Sequence, residues 1–295
     1  MARTRANGIE IEYETAGDPK DPALLLVMGL GGQLTVWPDS FFQGLADQGF
    51  FVIRYDNRDI GLSTDFDAAG LPDLAAAMGK LMAGQPIDAP YRLDDMAADA
   101  IGLLDALGIA RAHMVGMSMG GMIVQILAAR YASRARSMVS IMSTSGRRGL
   151  PTGNPQTLAM MTSQPANLER ETLVAHGIKV RKALAGSGYP EPEEALRAFV
   201  ERNVDRRFYP QGAARQYLAV LASGDRVELL KTVSVPTLVL HGDDDPLVPV
   251  EAGRDVAALV PGAAIETFPG WGHNLPAPFL PTLIDRVASF CRDKQ

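Results

Sequence analysis

"VGMSMGGMIVQ", Val115–Gln125, sets a serine between two methionines, closes the trio with glycines and runs on into an apolar segment. The apolar run "AHMVGMS" (Ala112–Ser118) leads in and "GMIVQILAARYA" (Gly121–Ala132) leads out. The first reads as a buried strand and the second as a helix. Gly116–Gly120 must therefore turn the chain sharply between them. In that setting G-x-S-x-G has a mechanical meaning. The turn strains the backbone of Ser118, and only very small residues two positions away let the flanking chains pass that closely.

Working outward, four further apolar runs end in glycine or a turn: "ALLLVMG" (Ala23–Gly29), "FFVIRYD" (Phe50–Asp56), "SMVSIMS" (Ser137–Ser143) and "PTLVLHG" (Pro236–Gly242). Helical patterns lie between them, such as "LDDMAADAIGLLDALG" (Leu93–Gly108), whose apolar positions recur at helical spacing and stop on a glycine. The alternation predicts an α/β fold, a doubly wound, mostly parallel sheet with both faces covered. It fails over 147–231, where helical pieces such as "EPEEALRAFVERNV" occur with no strand-like run. Those residues are expected to form a helical cap inserted between core strands, with 1–146 and 232–295 making the core. Asp65–Tyr91 is longer than an ordinary strand-to-helix loop and marks a second, smaller insertion.

A serine hydroxyl is a poor nucleophile until a base takes its proton, and the base must be oriented and charge-compensated by a carboxylate. After "PTLVLHG" comes "DDDPLVP", so Asp243, Asp244 and Asp245 emerge at the carboxyl end of a strand, where open α/β sheets carry their sites. Asp245, followed by Pro246, is the preferred acid; Asp243 is the alternative, and a solvated acidic turn the plain reading. Further on, "PGWGHNLP" offers His273 on a glycine-rich loop. Of the other three histidines, His113 and His241 fall in or at the end of apolar strands and read as core residues; His176 falls in the cap. None of them follows the acid. An acyl-transfer site also needs donors for its oxyanion. The backbone N–H of Met119 supplies one, and the glycine-rich "VMGLGGQ" (Val27–Gln33) supplies the other through Leu30. That loop has neither a Walker lysine nor G-x-G-x-x-G spacing, which argues against a phosphate cradle.

The remaining composition narrows the function. The 295 residues are 47% hydrophobic and 21% charged, with net charge −6, as in an ordinary globular protein with no electrostatic footprint for nucleic acid or anionic membrane. The N-terminus has arginines but no apolar region behind them, so a cytoplasmic protein is expected. One cysteine, Cys291, and four histidines without HExxH or CxxC spacing offer no disulfide or metal site. No cofactor is implied, and the oligomeric state is not legible. Thirteen methionines make an adaptable apolar pocket plausible. Met28, Leu30, Trp37, Met119, Met122, Met160, Met161 and Trp271 are its candidate walls. Met117, on the strand side of the serine, is expected to pack in the core, and Met122 is equally at home there.

"LLLVMGLGG", "VIRYDNRDIGLST", "VGMSMGGMIVQ", "PTLVLHGDDDPLVP" and "PGWGHNLP" follow one another in the order of the α/β-hydrolase superfamily, which the chain resembles over nearly its whole length. It looks like the capped serine esterases, in particular the group that contains aclacinomycin methylesterase. Those enzymes also carry Met-Gly in the oxyanion loop and methionines beside the serine. The resemblance implies Ser118 as nucleophile, Asp245 as acid, His273 as base, and Leu30 and Met119 as oxyanion donors. It implies a mainly structural "DNRDIGLS" (Asp56–Ser63), with Arg58 outside the chemistry. It also implies a carboxylic ester hydrolase working through an acyl-enzyme on small to medium apolar esters. The same triad serves lactonases and carbon–carbon bond hydrolases, and cofactor-free haloperoxidases and non-catalytic ligand-binding proteins share the scaffold, so substrate stays open.

Overall fold

In the computed structural model, which describes residues 1–294, the apolar runs pair as the interior of an eight-stranded sheet. In chain order the strands are β1 (Ala2–Ala6), β2 (Ile9–Ala16), β3 (Ala23–Val27), β4 (Phe51–Tyr55), β5 (Ala112–Met117), β6 (Ala135–Ile141), β7 (Thr237–Gly242) and β8 (Ala264–Phe268). They lie in the order β1-β2-β4-β3-β5-β6-β7-β8. From β4 to β8 every neighbour pair is parallel, and β2 joins β1 and β4 antiparallel. The β1–β2 hairpin and the edge strand β8 are additions to the five strands expected from apolar runs. Asn7 and Gly8, both at positive φ, turn the hairpin, as an Asn-Gly pair flanked by alternating residues does.

The helices are α1 (Asp39–Asp47), α2 (Leu74–Met82), α3 (Leu93–Ala106), α4 (Met119–Arg130), α5 (Pro155–Thr162), α6 (Arg170–Leu184), α7 (Glu193–Arg206), α8 (Pro210–Ser223), α9 (Val227–Leu230), α10 (Val250–Leu259) and α11 (Leu280–Arg292). Successive side chains of the wholly buried β3 feed two separate apolar layers. Leu25 and Val27 belong to the layer that holds Met96 and Leu103 of α3, Ile123 of α4 and Val256 of α10 on one face. Leu24 and Leu26 meet Phe41 and Leu45 of α1 and Leu283 and Val287 of α11 on the other. Burial on both faces is what makes these strands read as unbroken apolar runs.

Helices α5–α9 all lie between β6 and β7, and no strand interrupts them. α5 begins where Asn154 Oδ1 accepts the N–H groups of Gln156 and Thr157, with Pro155 in the first turn. The 65–91 stretch contributes α2, whose Ala77 packs with Ile87 and with Leu218 of α8. Among the described residues no helix is long and apolar enough to cross a membrane.

Candidate active site

The turn after β5 carries the strain its sequence implies. Ser118 has φ +56° and ψ −119°, a conformation costing an L-residue on the order of 1–3 kcal/mol. Three hydrogen bonds hold it there. Its N–H donates to Ile141 O (2.9 Å), and its carbonyl accepts from Ser143 Oγ (2.7 Å) and Met122 N (3.2 Å). The glycines are needed for space: a Cβ on Gly116 would stand 2.2 Å from Gly120 O, and one on Gly120 would stand 2.0 Å from Val27 O. Ser118 is left half-buried while both flanking methionines are buried.

Asp245 lies on the loop after β7 and His273 on the loop after β8, two and three strands along the sheet from β5, and His273 lies between Asp245 and Ser118. Asp245 Oδ1 accepts the N–H groups of Leu247 (2.9 Å) and Val248 (2.8 Å). Its Oδ2 accepts from His273 Nδ1 at 2.7 Å, so Nδ1 carries the proton and Nε2 is free to accept from Ser118 Oγ at 3.0 Å. Burial works to raise the Asp245 carboxyl, but His273 and His241 beside it outweigh that and hold it well below the usual carboxylate range. Asp243 is part exposed, 3.9 Å from Arg254, and Asp244 accepts from the Ser187 hydroxyl; neither reaches the imidazole in this arrangement.

The loop after β3 runs alongside. A Cβ on Gly29 would stand 3.1 Å from Ser118 Cβ, so the loop passes in contact with the serine one residue before Leu30. Among the described residues neither the Leu30 nor the Met119 N–H meets a protein acceptor.

The expected pocket walls divide. Trp37 and Trp271 are wholly buried packing residues instead: Trp37 stacks on Phe41 (5.3 Å), while Trp271 packs on Phe279 (4.4 Å) and donates Nε1–H to Asn274 O. Met28, 2% exposed, folds its side chain over Gly32 in the same layer. The expectation for all three is corrected, because aromatic and sulfur side chains next to a site loop serve equally to anchor it from below. Met119 is as buried as Met117, at 1% and 7% exposure, in opposite layers. Leu30 and Met122 are half-buried against the α3–α4 layer, and Met160 and Met161 are half-buried on α5.

Two contacts escaped the sequence reading. His241 is buried as expected, yet its Nε2 lies 2.8 Å from Val248 O and 3.5 Å from Asp245 Oδ2, so a second imidazole braces the acid loop. Its position four residues before Asp245 was the available signal. The insertion also touches the base: His273 N–H donates to Leu184 O at the end of α6 (2.7 Å). Arg58 pairs with Asp99 inside the core, away from the serine.

Residues 22–277 match the family model for the alpha/beta hydrolase fold. The chain is 30% identical over 289 residues to rhodomycin D methylesterase of Streptomyces peucetius, covering 89% of this chain and 88% of that one. It is 28% identical to 3-oxoadipate enol-lactonase 2 of Acinetobacter baylyi, covering 88% and 85%. Among solved structures the enol-lactonase of Burkholderia xenovorans superposes over 99% of this chain and 100% of its own, with TM-score 0.73 at 22% identity. A strained serine between sheet and helix, the acid and histidine at the following strand ends, and this match over most of the chain lead to one conclusion: the protein belongs to the α/β-hydrolase fold family.

Proposed function

We propose that the protein is a serine hydrolase of carboxylic esters that works through an acyl-enzyme, with a small to medium apolar ester as its substrate. One observation carries the reading: Ser118 Oγ, His273 and Asp245 form a continuous hydrogen-bonded line, 3.0 Å and 2.7 Å, at the one residue of the turn that is not buried. In this mechanism His273 Nε2 takes the Ser118 proton as Oγ attacks the ester carbonyl. The N–H groups of Leu30 and Met119 receive the oxyanion. Collapse expels the alcohol, which leaves with the proton from His273. Water, deprotonated by the same imidazole, then releases the acid and restores the serine. Asp245, kept ionised by its surroundings, compensates the imidazolium formed in each half.

The relatives' names support ester and lactone chemistry, two forms of the same carbonyl substitution, with the methylesterase pointing to a small alcohol. A cap over Ser118 built by α5–α9, with Met160 and Met161 on its first helix, would set the size of the group accepted. The test is turnover of p-nitrophenyl esters of short and long acyl chains beside simple lactones. The parent should give a burst of nitrophenol, and Ser118→Ala should lose several orders of magnitude in kcat while folding normally. Activity of Ser118→Ala within about tenfold of the parent would refute the assignment. Faster turnover of lactones than of any open ester would move the reading to a lactonase.

A further inference from the structure

The loop that offers the Leu30 N–H is not held by the sheet alone. Every residue from Gly31 to Thr35 except Gly32 is tied either to the corner between α7 and α8 or to Asp56, which that corner grips. Gln216 of α8, with no solvent exposure, accepts the Gly31 N–H on Oε1 (2.9 Å) and donates Nε2–H to Arg58 O (2.8 Å). One turn earlier, the Ala213 methyl lies 3.2 Å from where a Gly31 Cβ would be. Gln33 donates to the carbonyls of Asn203 and Arg207, and Thr35 donates to Asn203 Oδ1. Arg206 holds both Gln33 Oε1 and Asp56, whose Oδ1 accepts the Leu34 N–H. These anchors run the length of the loop from Gly31 to Thr35, and the Leu30 N–H is adjacent to the Gly31 bond.

Resting on the ester-hydrolase reading, we propose that Gln216 is a positioning residue: through its bond to Gly31 the α7–α8 corner of the cap holds the oxyanion donor Leu30 in line with Ser118. The cap is then part of the machinery for transition-state stabilisation. Its α7–α8 corner stays docked through turnover. An oxyanion donor acts only if it already points at the place where charge develops, because a donor that must be reoriented spends part of its stabilisation on that reorientation.

Gln216→Met keeps the length of the side chain and removes both bonds. It should lower kcat 10- to 100-fold, less than the roughly 10²–10³ that outright loss of a donor costs, with KM within about threefold of the parent. A purely structural role would also lower the melting temperature, so the deciding readout is inhibition by a trifluoromethyl ketone analogue of the ester. Its adduct with Ser118 carries the oxyanion, and its Ki should rise by the same factor as kcat/KM falls. Arg197→Gln, which breaks an exposed ion pair to Glu171 within the insertion, neither residue bonding to the loop, should leave kcat and Ki unchanged. If Gln216→Met does not fold, Gln216→Asn, one methylene too short to reach both partners, is measured the same way. A kcat within threefold of the parent, or a loss of kcat without a matching loss of ketone affinity, overturns the proposal. If Ser118→Ala retains turnover, the hydrolase reading fails and the role of Gln216 falls with it; if Ser118→Ala is inactive and Gln216→Met is not impaired, only the brace is wrong.

Discussion

Asp245 is where the chemistry is most tightly specified. Two backbone N–H groups and two imidazoles converge on its two oxygens, and the carboxyl is buried against β7. Such a carboxylate fixes His273 with its proton on Nδ1. Asp245→Asn keeps the shape but presents an amide that can donate to the ring, favouring the other tautomer. The expected loss is on the order of 10⁴ in kcat, whereas Asp243→Asn and Asp244→Asn should stay within about tenfold of the parent. A larger loss at Asp243 would put the acid two residues earlier. Because Asp245 remains ionised far below the usual carboxylate range, it adds no titration of its own and kcat/KM should rise with pH as a single-proton step. A two-proton slope above about pH 4 would mean that a second group controls activity.

The end of α6 presses on the base loop with backbone against backbone. A Cβ on Gly186 would stand 2.4 Å from Gly270 O and 2.5 Å from Gly272 N, and Gly188 N–H donates to Gly270 O (2.9 Å). Gly186→Ala must therefore push the loop that carries His273. A displacement of about 1 Å is worth roughly 10²-fold in rate, so kcat should fall at least tenfold in a protein whose circular dichroism is unchanged. Parent-like kcat would mean that the insertion yields rather than the base. This contact marks the limit of what the sequence displays. That Ser118, His273 and one of three adjacent aspartates come together could be read because the turn, the strand ends and the chain order constrain them locally. The hairpin of β1 and β2 had a readable signal in Asn7-Gly8 between alternating residues, but β8 lies at the sheet edge, half-exposed, and has no apolar run to find. Gln216, Gly186 and Leu184 act across folded space, where no spacing rule reaches. Trp37 and Trp271 misled because position in the chain cannot distinguish the lining of a cleft from its foundation.

The stability of the whole molecule should depend on a histidine that has no part in the reaction. His113 on β5 is wholly buried, with Nδ1 2.8 Å from Ser137 Oγ and its ring edge-on to Phe50 at 5.8 Å, in the layer closed by α11. Burial, reinforced by Arg136 and Arg111, pushes its pKa down to about 4. The unfolded chain, with His113 near 6.5, binds the proton first. Stability from this group is therefore complete above about pH 6.5 and drains away as pH falls toward 4, because the unfolded state gains protons the folded state refuses. Asp56 and Asp99 run the other way: burial raises both carboxyls despite their arginine partners, so on acidification the folded state takes up their protons before the unfolded chain does and gains stability from them. The melting temperature of the parent alone mixes these signs. The difference between the parent and His113→Gln isolates one of them, since Gln can keep the bond to Ser137 and has no proton to gain. Whatever that difference is at about pH 7.5, it should shift in favour of the variant by roughly 2 to 3 kcal/mol at about pH 4.5, the integral of a shift of this size over that interval. Denaturant melts of both proteins at the two pH values measure it, and a pH-independent difference would mean that His113 is protonated inside the fold as readily as outside it.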